Sequence, residues 1–370
     1  MSAGGPGPLW KRSGDAAPTL RRPALHRGGA LGWLAVRVAA VLACGAVVVG
    51  TAGLLLQRAD GGPTAAWARS TGHDALWMGQ AWVDGRHSRA GLGRLAARIR
   101  ASGIRDVYVL VGSLDSDGRL SPAGYAGAGE FLAAVHAALA RVRVSGWLRG
   151  MVGTGHINLA DRATRANILA AAAAVLHAGF SGVHYDLQPV ASGDAGLLSL
   201  LRATRALHPQ PLSAAVPKLE PLSGLRLPAQ LITRRPVFWT TSYLTQVARR
   251  VDQVAVMSYD TGMPFRSWYS GYVERETALA LQAVAAKTEL LVGLPAFHTS
   301  TFAHHAGAET VAAAIHGIRV ALTAAGRARM ANGSRSGTSR NRGFGVALFV
   351  DTTATPQDWA SYTRDWVRPG

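Results

Sequence analysis

Residues 179–188 read GFSGVHYDLQ. From Gly182 onward the run is short, rich in apolar residues and preceded by a glycine, which is typical of a strand buried inside a sheet. Side chains alternate between the two faces of a strand, so His184, Asp186 and Gln188 share one face. We therefore expect this strand to carry polar groups to the carboxyl end of a parallel sheet.

Seven further apolar runs of the same kind occur along the chain, and helical patterns such as Leu92, Leu95 and Ile99 lie between them. Together with 182–186, the predicted strands are 75–82, 106–111, 144–148, 212–216, 253–257, 290–294 and 345–350. Eight strand–helix units in about 300 residues predict an α/β fold, a (β/α)8 TIM barrel. A doubly wound open sheet is the alternative, but its glycine-rich phosphate loop does not follow the first predicted strand.

An uncharged apolar run precedes the barrel at residues 38–56, and about 20 such residues span a bilayer core. Most basic residues of the first 60 come before this run, which predicts a cytoplasmic N-terminus and an extracytoplasmic C-terminal part. We therefore predict a single-pass protein of the cell membrane. Its predicted parts are a disordered basic cytoplasmic tail (1–30), a transmembrane anchor (31–57), a linker (58–73) and the barrel domain (74–370). A cleaved signal peptide and a lipidated Cys44 are the alternatives.

The net charge is +18, and the single cysteine excludes an intramolecular disulfide. A basic exterior domain favours anionic envelope polymers or lipid head groups. Nucleic acid is not an expected partner, because the arginines are scattered and no aromatic-basic binding motif is visible. Enrichment of arginine by a GC-rich genome is the alternative explanation of the charge.

Three motifs, in chain order, resemble those of the family 18 chitinase-like glycoside hydrolases. Residues 181–188 are similar to the strand-4 signature Asp-Gly-x-Asp-x-Asp-x-Glu, with Ser181, His184, Asp186 and Gln188 at its acidic positions. Residues 257–260, Met-Ser-Tyr-Asp, resemble the strand-6 motif Met-x-Tyr-Asp/Asn. Residues 293–297, Gly-Leu-Pro-Ala-Phe, resemble the strand-7 motif Gly-x-Pro-x-aromatic. The likeness keeps its order over roughly residues 74–366.

The resemblance implies catalytic positions at Asp186, Gln188 and Tyr259. In the family, the counterparts of Asp186 and Tyr259 hold the N-acetyl group, whose oxygen attacks the anomeric carbon. Gln188 replaces the family's catalytic glutamic acid, and an amide cannot transfer a proton at neutral pH. Strand 8 ends Phe349-Val350-Asp351, where the family usually places a tryptophan. The resemblance therefore implies a sugar site that lacks its usual acid.

Substrate contacts are expected from polar and aromatic side chains near the strand ends, because aromatic faces stack on sugar rings. They are His184, Asp260, Trp82, Trp268, Phe297 and Asp351. Asp351 is also a candidate substitute carboxylate. His184 is expected either to pair with Asp186 and titrate near neutrality or to be a satisfied interior group. Neither a metal nor a cofactor is expected, since the histidines after strand 7 lack an H-E-x-x-H arrangement.

These observations give one main hypothesis and two rivals. The protein binds an N-acetylated glycan or envelope polysaccharide outside the membrane, with reduced or no hydrolysis. Alternatively, it is an active glycosidase that uses Asp186, Asp260 or Asp351 as its acid, or it is a non-catalytic envelope scaffold.

Overall fold

A computed structural model describes residues 28–86, 89–208, 210–222, 236–331 and 343–369, together with Gly224, Gln230 and Arg234. The chain forms two compact units, 1–50 and 51–370. In its described part, the first unit consists of residues of the N-terminal apolar helix. The second unit contains the sheet and all the remaining helices.

Eight parallel strands close into a barrel in sequence order. The strands are β1 (Asp74–Met78), β2 (Ile104–Ser113), β3 (Arg143–Met151), β4 (Gly182–Gln188), β5 (Leu212–Val216), β6 (Gln253–Val256), β7 (Glu289–Pro295) and β8 (Phe344–Phe349). Strand β1 pairs with both β2 and β8, which closes the ring. The predicted (β/α)8 TIM barrel is therefore confirmed.

Nine α-helices are described. They are α1 (Gly28–Asp60), α2 (Arg89–Arg100), α3 (Ala128–Ala138), α4 (Arg162–His177), α5 (Ala195–Leu207), α6 (Thr241–Ala248), α7 (Arg266–Ala283), α8 (Val311–Ala331) and α9 (Pro356–Ser361). Local capping fixes several starts: Asp161, Asp194 and Thr240 accept backbone N–H bonds at the first turns of α4, α5 and α6. These side chains satisfy amides that the helix itself leaves unpaired.

The apolar core has two layers. The outer layer lies between strands and helices and contains the outward side chains of each strand, such as Val109 and Val183. The inner layer fills the barrel, where Trp77, Tyr108 and Trp147 pack against small residues of other strands. Large side chains facing small ones close the lumen, so the barrel is a packed core and not a pore.

A group of charged and polar side chains closes the amino-terminal end of the barrel, and we call it the basal ion-pair network. Arg143 Nε donates to Asp106 Oδ1 at 2.5 Å, and Arg105 forms an ion pair with Glu289. Gln253 Nε2 donates to both carboxylates, at 3.2 Å to Asp106 and 3.0 Å to Glu289. Because these groups satisfy one another, the open end for a ligand is the opposite, carboxyl-terminal face.

Strand β1 is shorter than predicted. It ends at Met78, and a 3-10 turn at Gln80–Trp82 replaces the expected continuation to residue 82. Asp351 holds this turn, because its Oδ1 accepts the Gly79 N–H at 2.8 Å and its Oδ2 accepts the Trp82 indole N–H at 2.6 Å. The apolar run therefore leaves the sheet to contact the end of β8.

The last turns of α1 belong to the second unit and pack on α7. Leu56 is 2% exposed, and a Cβ at Gly271 would clash with the Leu56 carbonyl oxygen. A Cβ at Gly53 would likewise meet the Trp268 ring. These glycines permit a close approach that any larger residue would block.

Of the helices described, one is long and apolar enough to cross a membrane, at Val36–Asp60. A signal sequence near an N-terminus has the same properties. Most of the predicted cytoplasmic tail, residues 1–27, lies outside the described residues. The predicted domain boundaries and membrane topology stay predictions.

Candidate active site

Strands β4 and β6 bring the motif residues together at the carboxyl-terminal face of the barrel. Gln188, the last residue of β4, donates from Nε2 to Met257 Sδ at 2.9 Å, directly after β6. Tyr259, two residues after Met257, stacks on Phe349, and Phe349 meets Trp147, which donates to Asp186. Three residues that the sequence assigned to catalytic positions, Asp186, Gln188 and Tyr259, therefore form one cluster, which we call the mouth cluster.

Asp186 is buried, at 8% exposed, and each of its carboxylate oxygens has a donor. Gln188 Nε2 donates to Oδ1 at 2.6 Å, and Trp147 Nε1 donates to Oδ2 at 3.1 Å. Burial raises the pKa of Asp186, whereas these two hydrogen bonds and the charge of Arg149 oppose the rise. The carboxylate is thus held in one orientation and retains further lone pairs for a ligand.

Gln188 has a fixed orientation because a carboxylate only accepts hydrogen bonds. Its amide nitrogen must face Asp186, which leaves the carbonyl oxygen as the remaining acceptor. An amide in this place can orient a neighbour or bind a hydroxyl group. It cannot protonate a leaving oxygen.

Tyr259 is buried, at 4% exposed, and its hydroxyl makes no hydrogen bond within the described part of the chain. The ring stacks on Phe349 with a centroid distance of 5.2 Å and meets the edge of Phe297 at 5.6 Å. Burial raises the pKa of Tyr259 well above its usual value, and the charges of Asp186 and Asp260 raise it further. The hydroxyl is therefore a neutral donor. Leaving such a group unpaired costs about 1–3 kcal/mol, which a ligand acceptor could recover.

Strand β3 contributes three residues that the sequence analysis did not assign to the site. The register pairs Arg149 with Asp186 and Met151 with Gln188, and both β3 side chains are exposed. Trp147 donates from Nε1 to Asp186 Oδ2. Residues two apart on a strand share a face, so residues 147, 149 and 151 share one, but the residues of β4 that they meet depend on the β3–β4 register.

An open hollow of about 450 Å³ adjoins the mouth cluster on the β3 side. Arg149, Met151, Asp115 and His156 are among its lining residues. It lies on the loops after β2 and β3, where barrels of this type build their sites. Its mixture of a cation, an acid and an apolar surface suits an extended polar ligand.

His184 lies one layer below the mouth cluster and is fully buried. Its Nε2 accepts the Trp77 indole N–H at 3.1 Å, its Nδ1 lies 2.9 Å from Ser213 Oγ, and Tyr108 stacks on the ring at 3.8 Å. Burial lowers the pKa of His184 to about 3, so the imidazole is neutral at physiological pH. The prediction that His184 pairs with Asp186 and titrates near neutrality is therefore wrong. His184 is a satisfied interior group.

The other expected substrate contacts are distributed unevenly. Phe297 contacts Tyr259, and Asp260 is the residue directly after Tyr259 in the chain. Asp351, which follows β8, and Trp82, in the turn after β1, are hydrogen-bonded to each other. Trp268 lies on α7 against Gly53 of α1 and is not part of the mouth cluster.

No protein-family model matches the sequence, and no curated protein matches it. Solved structures do match the fold. The spore cortex-lytic enzymes SleL of Bacillus cereus and Bacillus megaterium QM B1551 give TM-scores of 0.53 and 0.50. Each is 12% identical, and the match covers 82% of this chain and 76% of the enzyme. A family 18 (GH18) chitinase from Cycas revoluta in complex with (GlcNAc)3 gives a TM-score of 0.45 at 16% identity, covering 60% of this chain and 68% of the chitinase.

At these identities the likeness concerns the fold. The two SleL enzymes are matched over most of the present chain, in keeping with the barrel topology described above. A TIM barrel like those of the SleL enzymes is thus supported, as the pattern of strands and helices predicted. The roles of Asp186, Gln188 and Tyr259 stay predictions.

Proposed function

We propose that this protein binds an N-acetylated glycan or envelope polysaccharide at the mouth cluster and hydrolyses it slowly or not at all. The observation that carries the proposal is the buried Tyr259 hydroxyl, which has no partner in the described part of the chain. Its ring is linked to the held Asp186 carboxylate through Phe349 and Trp147. An acetamido group offers one carbonyl acceptor and one N–H donor. Tyr259 can donate to the carbonyl, and Asp186 can accept from the N–H.

The surroundings of the carboxylates support weak or absent hydrolysis. Gln188 occupies the position of the acid, and general acid catalysis typically contributes about 10²–10⁴-fold. Both oxygens of Asp186 accept hydrogen bonds, from Gln188 and Trp147, and these bonds oppose the rise in pKa that burial causes. Both oxygens of Asp351 accept hydrogen bonds from the Gly79 N–H and the Trp82 indole N–H. Both carboxylates are therefore engaged as acceptors within the protein.

The ligand class is supported by the matched structures and by the charge of the chain. The two Bacillus proteins are named spore cortex-lytic enzymes, and a cortex is part of a spore envelope. The net charge of +18 favours an anionic envelope polymer. Together with the apolar helix α1, these features support a barrel that is anchored to the cell membrane and faces outward.

Binding of an N-acetylglucosamine tetramer to the full chain in detergent, measured by isothermal titration calorimetry, tests the proposal. Asp186→Ala should weaken binding about tenfold to a hundredfold, because a hydrogen bond to a charged group contributes roughly 1.5–3 kcal/mol. Tyr259→Phe should weaken it about tenfold for a neutral hydrogen bond.

Tyr185→Phe is the matched control. Tyr185 precedes Asp186 on β4 but faces outward, where its hydroxyl bonds with Thr204 Oγ1 at 3.0 Å. The control variant should keep wild-type affinity. Wild-type affinity in both Asp186→Ala and Tyr259→Phe would remove the basis for this site.

A further inference from the structure

A second group of ligating side chains lies beside the mouth cluster, on the loops after β6 and β7. Asp260, His304 and Glu309 place one nitrogen and two carboxylate oxygens within 4.8 Å of one another. His304 Nδ1 lies 3.4 Å from Asp260 Oδ1 and 3.3 Å from Glu309 Oε2. The three residues span 260–309 in sequence, so no local motif marks them.

The imidazole of His304 has unmet bonding capacity. It is 1% exposed, and neither of its nitrogens makes a hydrogen bond within the described residues. Nδ1 lies within reach of both carboxylates but is aligned with neither of them. A proton on Nδ1 would therefore be poorly placed for either acceptor, whereas one shared positive centre between the three atoms would satisfy all of them.

We propose that Asp260, His304 and Glu309 form a binding site for one divalent transition-metal ion of the zinc type. Ligand atoms that lie about 2.0–2.2 Å from zinc at tetrahedral angles lie about 3.3–3.6 Å from one another. The two measured separations, 3.3 and 3.4 Å, match this spacing. One imidazole and two carboxylates are a ligand set that zinc accepts, and three protein ligands leave a fourth position open.

The surroundings hold the ligands in place. Glu309 Oε1 accepts from Thr261 N at 3.1 Å, from Thr261 Oγ1 at 3.0 Å and from Gly262 N at 3.0 Å. These bonds orient the carboxylate so that Oε2 faces His304, as outer partners do in metal sites. Asp260 has a φ of 56°, in the left-handed region that Asp tolerates better than most residues.

The ion would lie close to the mouth cluster. The Phe297 ring is 4.2 Å from His304 and 5.6 Å from Tyr259, measured between centroids. The open coordination position would take an oxygen donor, such as water or a carboxylate or hydroxyl group of a ligand. The site does not depend on glycan binding, so a metal alone is a sufficient probe.

The test uses the full chain in detergent, without a polyhistidine tag, after dialysis against a chelator. Cobalt(II) is titrated at pH 7.5 and followed by its visible absorption, and zinc competition is measured by calorimetry. We expect one cobalt per chain with a micromolar or lower Kd, and displacement of cobalt by zinc. His304→Ala and Asp260→Asn should each weaken binding at least about thirtyfold.

His305→Ala is the matched control, because this neighbouring histidine is exposed and outside the cluster, and it should bind as the wild type does. Asp260 is on the surface, so Asp260→Asn keeps the test decisive if His304→Ala does not fold. Absence of stoichiometric cobalt binding by the wild type overturns the proposal. Equal binding in Asp260→Asn and the His305→Ala control overturns it as well.

Discussion

Restoring the missing acid is the most direct perturbation of the mouth cluster. In Gln188→Glu the new carboxyl would take the place of an amide nitrogen that lies 2.6 Å from Asp186 Oδ1. Two unit charges at that separation repel by about 6 kcal/mol at an effective dielectric constant of about 20. Even half of that repulsion raises a glutamic acid pKa by about two units, from about 4.3 to above 6. The pair should therefore keep one shared proton near neutral pH.

That proton is what the wild-type site lacks. General acid catalysis contributes about 10²–10⁴-fold, so release of sugar from an unactivated N-acetylglucosamine oligomer should rise at least about a hundredfold in Gln188→Glu. An activated aryl glycoside needs less protonation and should gain less. The rate of the variant should follow a bell-shaped pH profile, because one carboxyl must be protonated and its neighbour ionised.

Chromatography of the products measures the rates, and calorimetry confirms that the variant still binds the oligomer. Gln80→Glu is the control, since the Gln80 amide donates to the Gly124 carbonyl in the turn after β1, outside the mouth cluster. A fast wild type whose rate is unchanged in Gln188→Glu would place the acid elsewhere and refute the reasoning. A variant that binds normally but gains no rate would show that the absent acid is not the main deficiency.

Three further predictions concern topology, pH and packing. A reporter fused after Gly370 should be active only outside the cytoplasm, and cytoplasmic activity would reverse the orientation. The pKa of His184 is about 3 in the folded protein and about 6.5 in the unfolded chain, so the folded state loses stability as the pH falls from 6.5 towards 3. The thermal unfolding temperature of His184→Gln should therefore depend less on pH in that window than the unfolding temperature of the wild type does. Gly271→Ala should lower the unfolding free energy by about 1–3 kcal/mol, because its Cβ meets Leu56, whereas Gly129→Ala, with open space around it, should not.

The barrel could be predicted because its signal is local. Apolar runs bounded by turns and helical spacing between them identified all eight strands, and β5 has the predicted bounds. The error at β1 has a long-range cause: Asp351, far along the chain, captures the turn that follows Met78. No property of residues 75–82 themselves encodes that contact.

Only part of the candidate site could be predicted from local sequence patterns. Asp186, Gln188 and Tyr259 were found through motifs on single strands. Arg149 was missed because its position opposite Asp186 depends on the β3–β4 register, which two separate apolar runs do not specify. The arrangement of Asp260, His304 and Glu309 depends on how two loops meet. The spacing of these residues in the sequence therefore does not predict that they lie close together.

The basal ion-pair network closes the barrel at its amino-terminal end. Because the inner layer fills the lumen and Arg143, Asp106, Gln253 and Glu289 bond across its floor, a ligand must approach and leave the mouth cluster by the same, carboxyl-terminal face.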